Sequence, residues 1–447
     1  MATSPKFQAP KGTRDFFPPE MAVRRHIESA WRSASIDCGF DEIEGPTFEH
    51  LELYTVKSGE GIVNELFSFR RAGGENDYAL RPEFTPTLAR MAAAKGGSLA
   101  LPTKWFAIPV HFRAERPQRG RLREFVQWNV DLIGPPSADA DAEVIGCAVL
   151  ALERLGLGPE AVRVKLSHRG AVAAALRALG VPAASMAGAF ELLDRRDKLA
   201  PDEFAQRASA LGLEAAALDR FNELARTRVP LSAGIDGVVA ALGVSAEEVA
   251  ELTALVGVLQ AMGLAAWCEF DLGIVRGLAY YTGVVFEIHE ATGAERAIAG
   301  GGRYDGLIEL FGGPSLGAVG FGMGDVVLGL VLADRGLLSP ERAAELLPRP
   351  DCFLISADPA FDATMHALRA SLRRAGRHAR HSAKASRNVG KLLGDAAKCR
   401  ARFACIVGAE SAQGQVALKD MTTGEQRMVA AAELASLIAG AARIPET

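Results

Sequence analysis

Arg113, Arg116, Arg119, Arg121 and Arg123 fall within eleven consecutive positions, with Glu115 and Glu124 among them. Arginine presents five N–H donors in a planar fork that matches phosphate and carboxylate. Apolar residues flank the run: Ile108, Val110 and Phe112 before it, then Phe125, Val126, Trp128, Val130, Leu132 and Ile133. Its centre carries Pro117 and Gly120. The pattern predicts two antiparallel strands joined by an Arg-rich loop. Arg113 and Arg121 then stand near the two ends of the loop, one on each strand. Strands hold side chains still while a loop closes over a ligand, so the expected guest is a nucleoside triphosphate or a nucleic-acid end. The alternative is a solvated basic hairpin. Long apolar flanks that read as central strands favour the ligand.

Other residues carry chemistry in context. Glu83 follows a strand-like segment and precedes a helical one, with Pro82 and Pro86 limiting where that helix begins and Thr85 or Thr87 able to cap it. Gln127 and Asp131 are four apart on one strand and share a face. Arg276 stands in the apolar stretch 267–290, ahead of Tyr280 and Tyr281. A buried arginine needs an anion or strong acceptors. A structural carboxylate there, with core tyrosines, is the alternative. Ten glycines lie between Gly300 and Gly324 without a G-x-x-x-x-G-K-[ST] spacing, which excludes a P-loop. They suit close backbone approach to a packed sheet or a nucleotide.

The elements that position these residues can be read in order. A helix spans roughly 19–37 and ends at Gly39. A strand broken at Gly45-Pro46 follows, then a short strand over 64–70. Residues 138–156 and 160–182 contain helical patterns rich in Ala and Leu, and VRVKLSH at 162–168 could be a strand. Residues 184–262 form a mostly helical insertion, whose Asp194–Lys198 charge run reads as a solvated face. Residues 336–350 form a linker. From 351, strands alternating with helices make a small α/β domain. Eleven Arg or Lys against the single acid Asp395 between residues 366 and 402 give that domain a basic face suited to RNA.

Bulk properties exclude several classes. The 447 residues suit two or three domains, and 49% apolar with 23% charged residues is an ordinary globular balance. No charge-free apolar run is long enough to span a membrane, and the N-terminus lacks a secretory h-region. Six scattered cysteines without a C-x-x-C pair argue against a disulfide framework or a structural zinc site and fit a reducing cytoplasm. The net charge of −4 leaves room only for a local basic patch.

Phe-Arg-x-Glu, a loop, then Arg-x-Arg-Glu-Phe-x-Gln resembles the second signature motif of class II aminoacyl-tRNA synthetases, in the form found in histidyl-tRNA synthetases. The L-R-P-E-x-T segment around Glu83, RGLAYYTGVVFE, GGRYDGL and ARFACIVG…GQVALKDMTTGEQ are similar to further segments of that family. The resemblance spans nearly the whole chain. It implies a cytoplasmic homodimer with an α+β class II catalytic domain at 1–335, an antiparallel sheet with flanking helices and a helical insertion. The helix and Pro46 strand would build the dimer interface, and 351–447 would be an α/β anticodon-binding domain.

The implied partners are L-histidine, ATP, Mg²⁺ and tRNA(His), with no protein-side metal ligands and no membrane. Arg113 and Arg276 are the implied catalytic residues. Glu83, Phe84, Thr85, Gln127, Asp131, Tyr280 and Tyr281 would join them around histidine. Glu115, Arg121 and Phe125 would join Arg113 around ATP, with Phe125 stacked on adenine.

The chain departs from the family pattern in three places. Asp131 replaces a usual Glu, and Ala279 a usual Asp. Gly324-Asp325-Val326-Val327 lacks the arginine that usually grips the γ-phosphate, so either another group such as Arg119 or Arg303 substitutes or γ-phosphate binding is weaker. Three rivals remain: a regulatory subunit of a histidine-biosynthetic phosphoribosyltransferase, a non-catalytic tRNA sensor, and a synthetase for another amino acid. The retained arginines and the basic C-terminal domain disfavour the first, intact Glu83, Arg113 and Arg276 the second, and Arg276 to Tyr281 the third.

Overall fold

A computed structural model describes residues 7–58, 60–196, 199–213, 215–274, 281–293 and 295–440. The chain divides into two compact units, Met1–Ala344 and Glu345–Thr447. Arg276 and Tyr280 lie outside the described residues.

The first unit is organised on a large sheet. Its strands are β1 (Asp41–Glu42), β5 (Thr103–Ala107), β6 (Val110–Phe112), β7 (Glu124–Ile133), β8 (Val162–His168), β9 (Arg228–Pro230), β10 (Cys268–Asp271), β11 (Val284–Glu290), β12 (Ala299–Arg303) and β13 (Ala318–Gly324). They run in the order β1-β5-β7-β13-β12-β11-β8-β10-β9, with β6 also paired to β7. Pairing is antiparallel except for β1 with β5 and β8 with β10. β2 (Phe48–His50), β3 (Ser68–Arg70) and β4 (Asp77–Leu80) form a separate antiparallel sheet in the order β2-β4-β3.

β7 explains how one strand serves both core and cleft. Side chains alternate across a strand. Val126, Trp128, Val130 and Leu132 enter the main hydrophobic cluster, while Phe125, Gln127, Asn129 and Asp131 line a cleft. Trp128 stacks on Trp31 of the helix Pro18–Asp37, ring centroids 5.9 Å apart, and its indole N–H donates to Ser35 Oγ at 2.9 Å. Ile27, Ala30, Trp31 and Ala34 form the buried stripe of that helix, as its 3.6-residue period requires. Gly39 follows the helix with φ of +75°, the left-handed conformation a glycine end favours. Each large side chain fully buried here stabilises the fold by roughly 1.5–3 kcal/mol.

Three local expectations change. Within 64–70 only Ser68–Arg70 is strand, and a 3₁₀ helix occupies Glu60–Glu65. The helix Thr85–Lys95 starts at Phe84 with no side-chain cap from Thr85 or Thr87. Pro86 in its first turn has no N–H to satisfy, which lowers the need for one. The helical stretch 184–262 contains β9, which pairs with β10 at the sheet's edge. Ala189, Leu192, Phe204 and Phe221 of this stretch share the main cluster.

In the second unit, β14 (Cys352–Ser356), β15 (Ala379–His381), β16 (Phe403–Val407), β17 (Gln415–Asp420) and β18 (Gln426–Ala430) run in the order β15-β14-β16-β17-β18. β15, β14 and β16 are mutually parallel, and β17 and β18 extend them as an antiparallel pair. The helices Asp362–Arg374 and Val389–Lys398 contribute to two buried clusters of its own.

Candidate active site

A cleft of about 580 Å³ opens over β7, β13, β12 and β11. Glu83, Thr85, Arg113, Arg121, Phe125, Gln127, Asp131 and Tyr281 all line it. Residues from three separate stretches, 83–85, 113–131 and 281, therefore converge.

Two glycines of β13 make room for the polar side chains of β7. Gly320 is the cross-strand partner of Asp131. A Cβ there would come within 2.1 Å of Asp131 Oδ1, and one on Gly322 within 2.8 Å of Gln127 Cδ. Asp131 is buried, and the Tyr304 hydroxyl donates to its Oδ1. Burial pushes its carboxyl up to about 7, which the Tyr304 hydrogen bond partly offsets. Tyr304 itself is held well above the usual phenol range, first by burial and then by the nearby carboxylate, so it remains a donor. Along β7, Gln127 and Asp131 stand roughly 13 Å apart at the ordinary rise per residue. The acceptor-rich end of the cleft thus lies at Asp131, and the arginines lie toward the loop.

Arg113 follows β6 directly. Its Nε–H donates to the Pro82 carbonyl at 3.1 Å, and its guanidinium lies 5.0 Å from the Phe125 ring centre. Burial pulls the guanidinium below its ordinary value, and Glu83 and Glu115 oppose that shift. It remains a cation, as arginine does in proteins. His111 stacks on Phe125 at 5.5 Å. It is wholly buried and bonded to the Pro109 carbonyl, and burial with Arg81 and Arg113 nearby holds its pKa well below the usual range. A neutral imidazole therefore supports the ring that carries Arg113.

The loop differs from its expected form. Arg121 is not on the return strand, which begins at Glu124. It pairs with Gln118 across a tight turn, the two exchanging backbone hydrogen bonds of 3.0 and 2.9 Å. Gly120 supplies the φ of +73° this turn needs. Glu115 faces Arg121 at 2.5 Å and lines a smaller hollow with Arg116, Pro117 and Gln118 rather than the main cleft. The N-terminal segment braces the loop: Arg123 N–H donates to the Gly12 carbonyl, and Arg14 pairs with Asp325 at 2.7 Å.

Phe84 does not reach the cleft. Only 1% exposed, it packs in the cluster that contains Leu88, Tyr281 and Tyr304, where an apolar ring gains most. Neither expected substitute arginine lines the cleft. Arg303 is buried against Asp141 at 2.7 Å, with Asp305 at 3.2 Å. Arg119 is exposed and pairs with Glu295 and Asp334.

Sequence reasoning missed Asn129, Glu287, His289, Arg296 and Tyr304, all lining the cleft. Glu287 and His289 alternate outward on β11 and bond to each other at 2.7 Å. Their period-2 spacing within an apolar strand was the available signal.

Residues 12–324 match the model of the histidyl-tRNA synthetase family, and residues 351–440 match that of an anticodon-binding domain. A histidine–tRNA ligase from Opitutus terrae is 39% identical over 421 residues, covering 93% of this chain and 94% of that protein. The crystal structure of a histidyl-tRNA synthetase from Nostoc sp. PCC 7120 superposes with a TM-score of 0.79 at 24% identity, over 98% of this chain and all of that one. A Bacillus halodurans structure titled as an ATP phosphoribosyltransferase regulatory subunit/histidyl-tRNA synthetase gives 0.71 at 26% identity, over 91% of this chain and all of that one. With both units matched and the motif residues gathered in one cleft, the chain belongs to the histidyl-tRNA synthetase family of class II aminoacyl-tRNA synthetases.

Proposed function

We propose that this cleft joins L-histidine to ATP and then to tRNA(His), the two steps of a histidine–tRNA ligase. The observation that carries this reading is the shared cleft itself. Arg113 faces it beside Glu83, Thr85, Gln127, Asp131 and Tyr281, with Arg121 toward its outer end.

In the first step a histidine carboxylate oxygen attacks the α-phosphorus of ATP. The bond to the β-phosphate oxygen breaks, and pyrophosphate leaves with the electron pair. Two anions must approach each other, so fixed cations are the main catalytic need. Arg113 bridges carboxylate and α-phosphate without exchanging a proton. Arg276 is the second proposed bridge. Glu83, Thr85 and Gln127 receive the α-ammonium group. Asp131 accepts the imidazole N–H, with Tyr280 and Tyr281 closing the pocket. Arg121, set by Glu115, orients the phosphates, and Phe125 walls the adenine side while holding Arg113. In the second step a hydroxyl of the terminal tRNA ribose attacks the acyl carbon, and AMP leaves.

Among the described residues no cluster of three or more His, Cys, Asp or Glu side chains is placed to hold a metal ion. Magnesium would enter as part of the Mg·ATP substrate, coordinated by phosphate oxygens. The second unit would hold the tRNA through exposed cations such as Arg374, Arg380 and Lys391. The β2-β4-β3 sheet, with exposed Phe48 and Phe69, would meet a second copy of the chain. Six free thiols suit a reducing compartment such as the cytoplasm.

The test is amino-acid-dependent ATP–pyrophosphate exchange with all twenty amino acids assayed separately. Exchange with histidine alone is expected. No exchange with any amino acid would overturn the ligase reading and favour a regulatory or tRNA-sensing role.

A further inference from the structure

The outer end of the cleft poses a charge problem. A triphosphate must be held there, and pyrophosphate must leave from there with its electron pair. The stretch 324–327 supplies no cation, Arg303 is committed to Asp141, and Arg119 is committed to Glu295 and Asp334. Arg121 is half neutralised by Glu115.

Arg296 also lines the cleft, on the connection entering β12. It is exposed at the mouth. Among the described residues it makes no ion pair, and the charges that act on it are Arg121, of like sign, and Glu115. A methyl group on Gly120 would lie 3.6 Å from Arg296 Cδ and 3.3 Å from Val327 Cγ2. The Arg296 side chain therefore reaches the space above Val327, between the loop turn and the start of the helix Asp325–Asp334. Two like-charged guanidiniums near a single carboxylate leave a net positive site, which an anion would complete.

We propose that Arg296 binds the outer phosphates of ATP and stabilises pyrophosphate as it leaves. This rests on the ligase reading and assigns the cation that no motif residue supplies. Arg296 sits two residues before a buried isoleucine, Ile298, which anchors its end of β12 against the core. The side chain is thus carried by the sheet margin and not by the Arg-rich loop.

The test compares wild type with Arg296→Gln in histidine-dependent exchange, together with binding of ATP, AMP and inorganic pyrophosphate by titration calorimetry. Loss of a charged phosphate contact should raise the KM for ATP and for pyrophosphate roughly 10- to 100-fold. The KM for histidine and the affinity for AMP, which lacks the outer phosphates, should stay within about 3-fold. Unchanged ATP and pyrophosphate constants would overturn the assignment. So would an equal weakening of AMP, because that would mean a general distortion of the cleft. Wild type inert toward every amino acid, with pyrophosphate binding still weakened by Arg296→Gln, would sink the ligase reading and leave the anion site standing.

Discussion

Asp131 shows how a single residue's burial becomes a measurable property. It sits on a central strand, opposite a glycine, with the Tyr304 hydroxyl donating to its carboxyl group. Its pKa of about 7 lies far above the ordinary carboxyl value. The fold thus keeps a proton that the unfolded chain gives up near pH 4. Stability from this group is full below that pH and is lost as pH rises through about 7. In Asp131→Asn this dependence should vanish. Wild type should lose on the order of 3 kcal/mol relative to the variant between pH 4 and 8, as read by urea denaturation. Parallel stability curves would show that Asp131 is not buried as described. The same variant should weaken histidine binding roughly 10- to 100-fold at pH 8, because a charged acceptor for the imidazole N–H is replaced by a neutral one.

At the scale of elements, the three-stranded sheet β2-β4-β3 carries the clearest unpartnered surface. Phe48 and Phe69 are 48% and 44% exposed, and Phe48, Phe69 and Tyr78 pack on one another with ring centroids 5.6–5.8 Å apart. Aromatic rings on neighbouring strands stabilise the sheet, but a contiguous exposed patch of them marks an association site. The family resemblance implies a dimer interface that includes the Pro46 strand, which β2 follows directly. Phe69→Lys should convert a dimer into a monomer of unchanged fold. Sedimentation velocity on both proteins checks this, and a wild-type monomer at micromolar concentration would refute the interface.

At the scale of the whole molecule, the two units bury separate hydrophobic clusters. A chain ending at residue 344 should therefore fold. If the second unit serves the tRNA, this truncation should leave histidine-dependent pyrophosphate exchange within about 3-fold, while charging of tRNA falls by at least roughly 10-fold. Equal loss of both activities would argue that the second unit supports the cleft rather than the tRNA.

The sequence by itself determined the strand–loop–strand around Arg113, the outward parity of Gln127 and Asp131, the helix ending at Gly39, and the α/β pattern after residue 351. These rest on local periodicity and turn chemistry, which neighbouring residues encode. The family motifs added Glu83, Thr85 and Tyr281, which the fold brings to the same cleft. Tertiary structure alone decided that Phe84 turns into the core, that Arg121 sits in a turn, and that β9 edges the large sheet. It also decided which arginines are free to meet phosphate. Arg303 and Arg296 look alike in sequence, yet Asp141, 162 positions away from Arg303, engages one of them, while the other stands over Val327. A side chain's charge is written in its own residue, but its partner is chosen by strand pairing between distant segments, and no local pattern carries that choice.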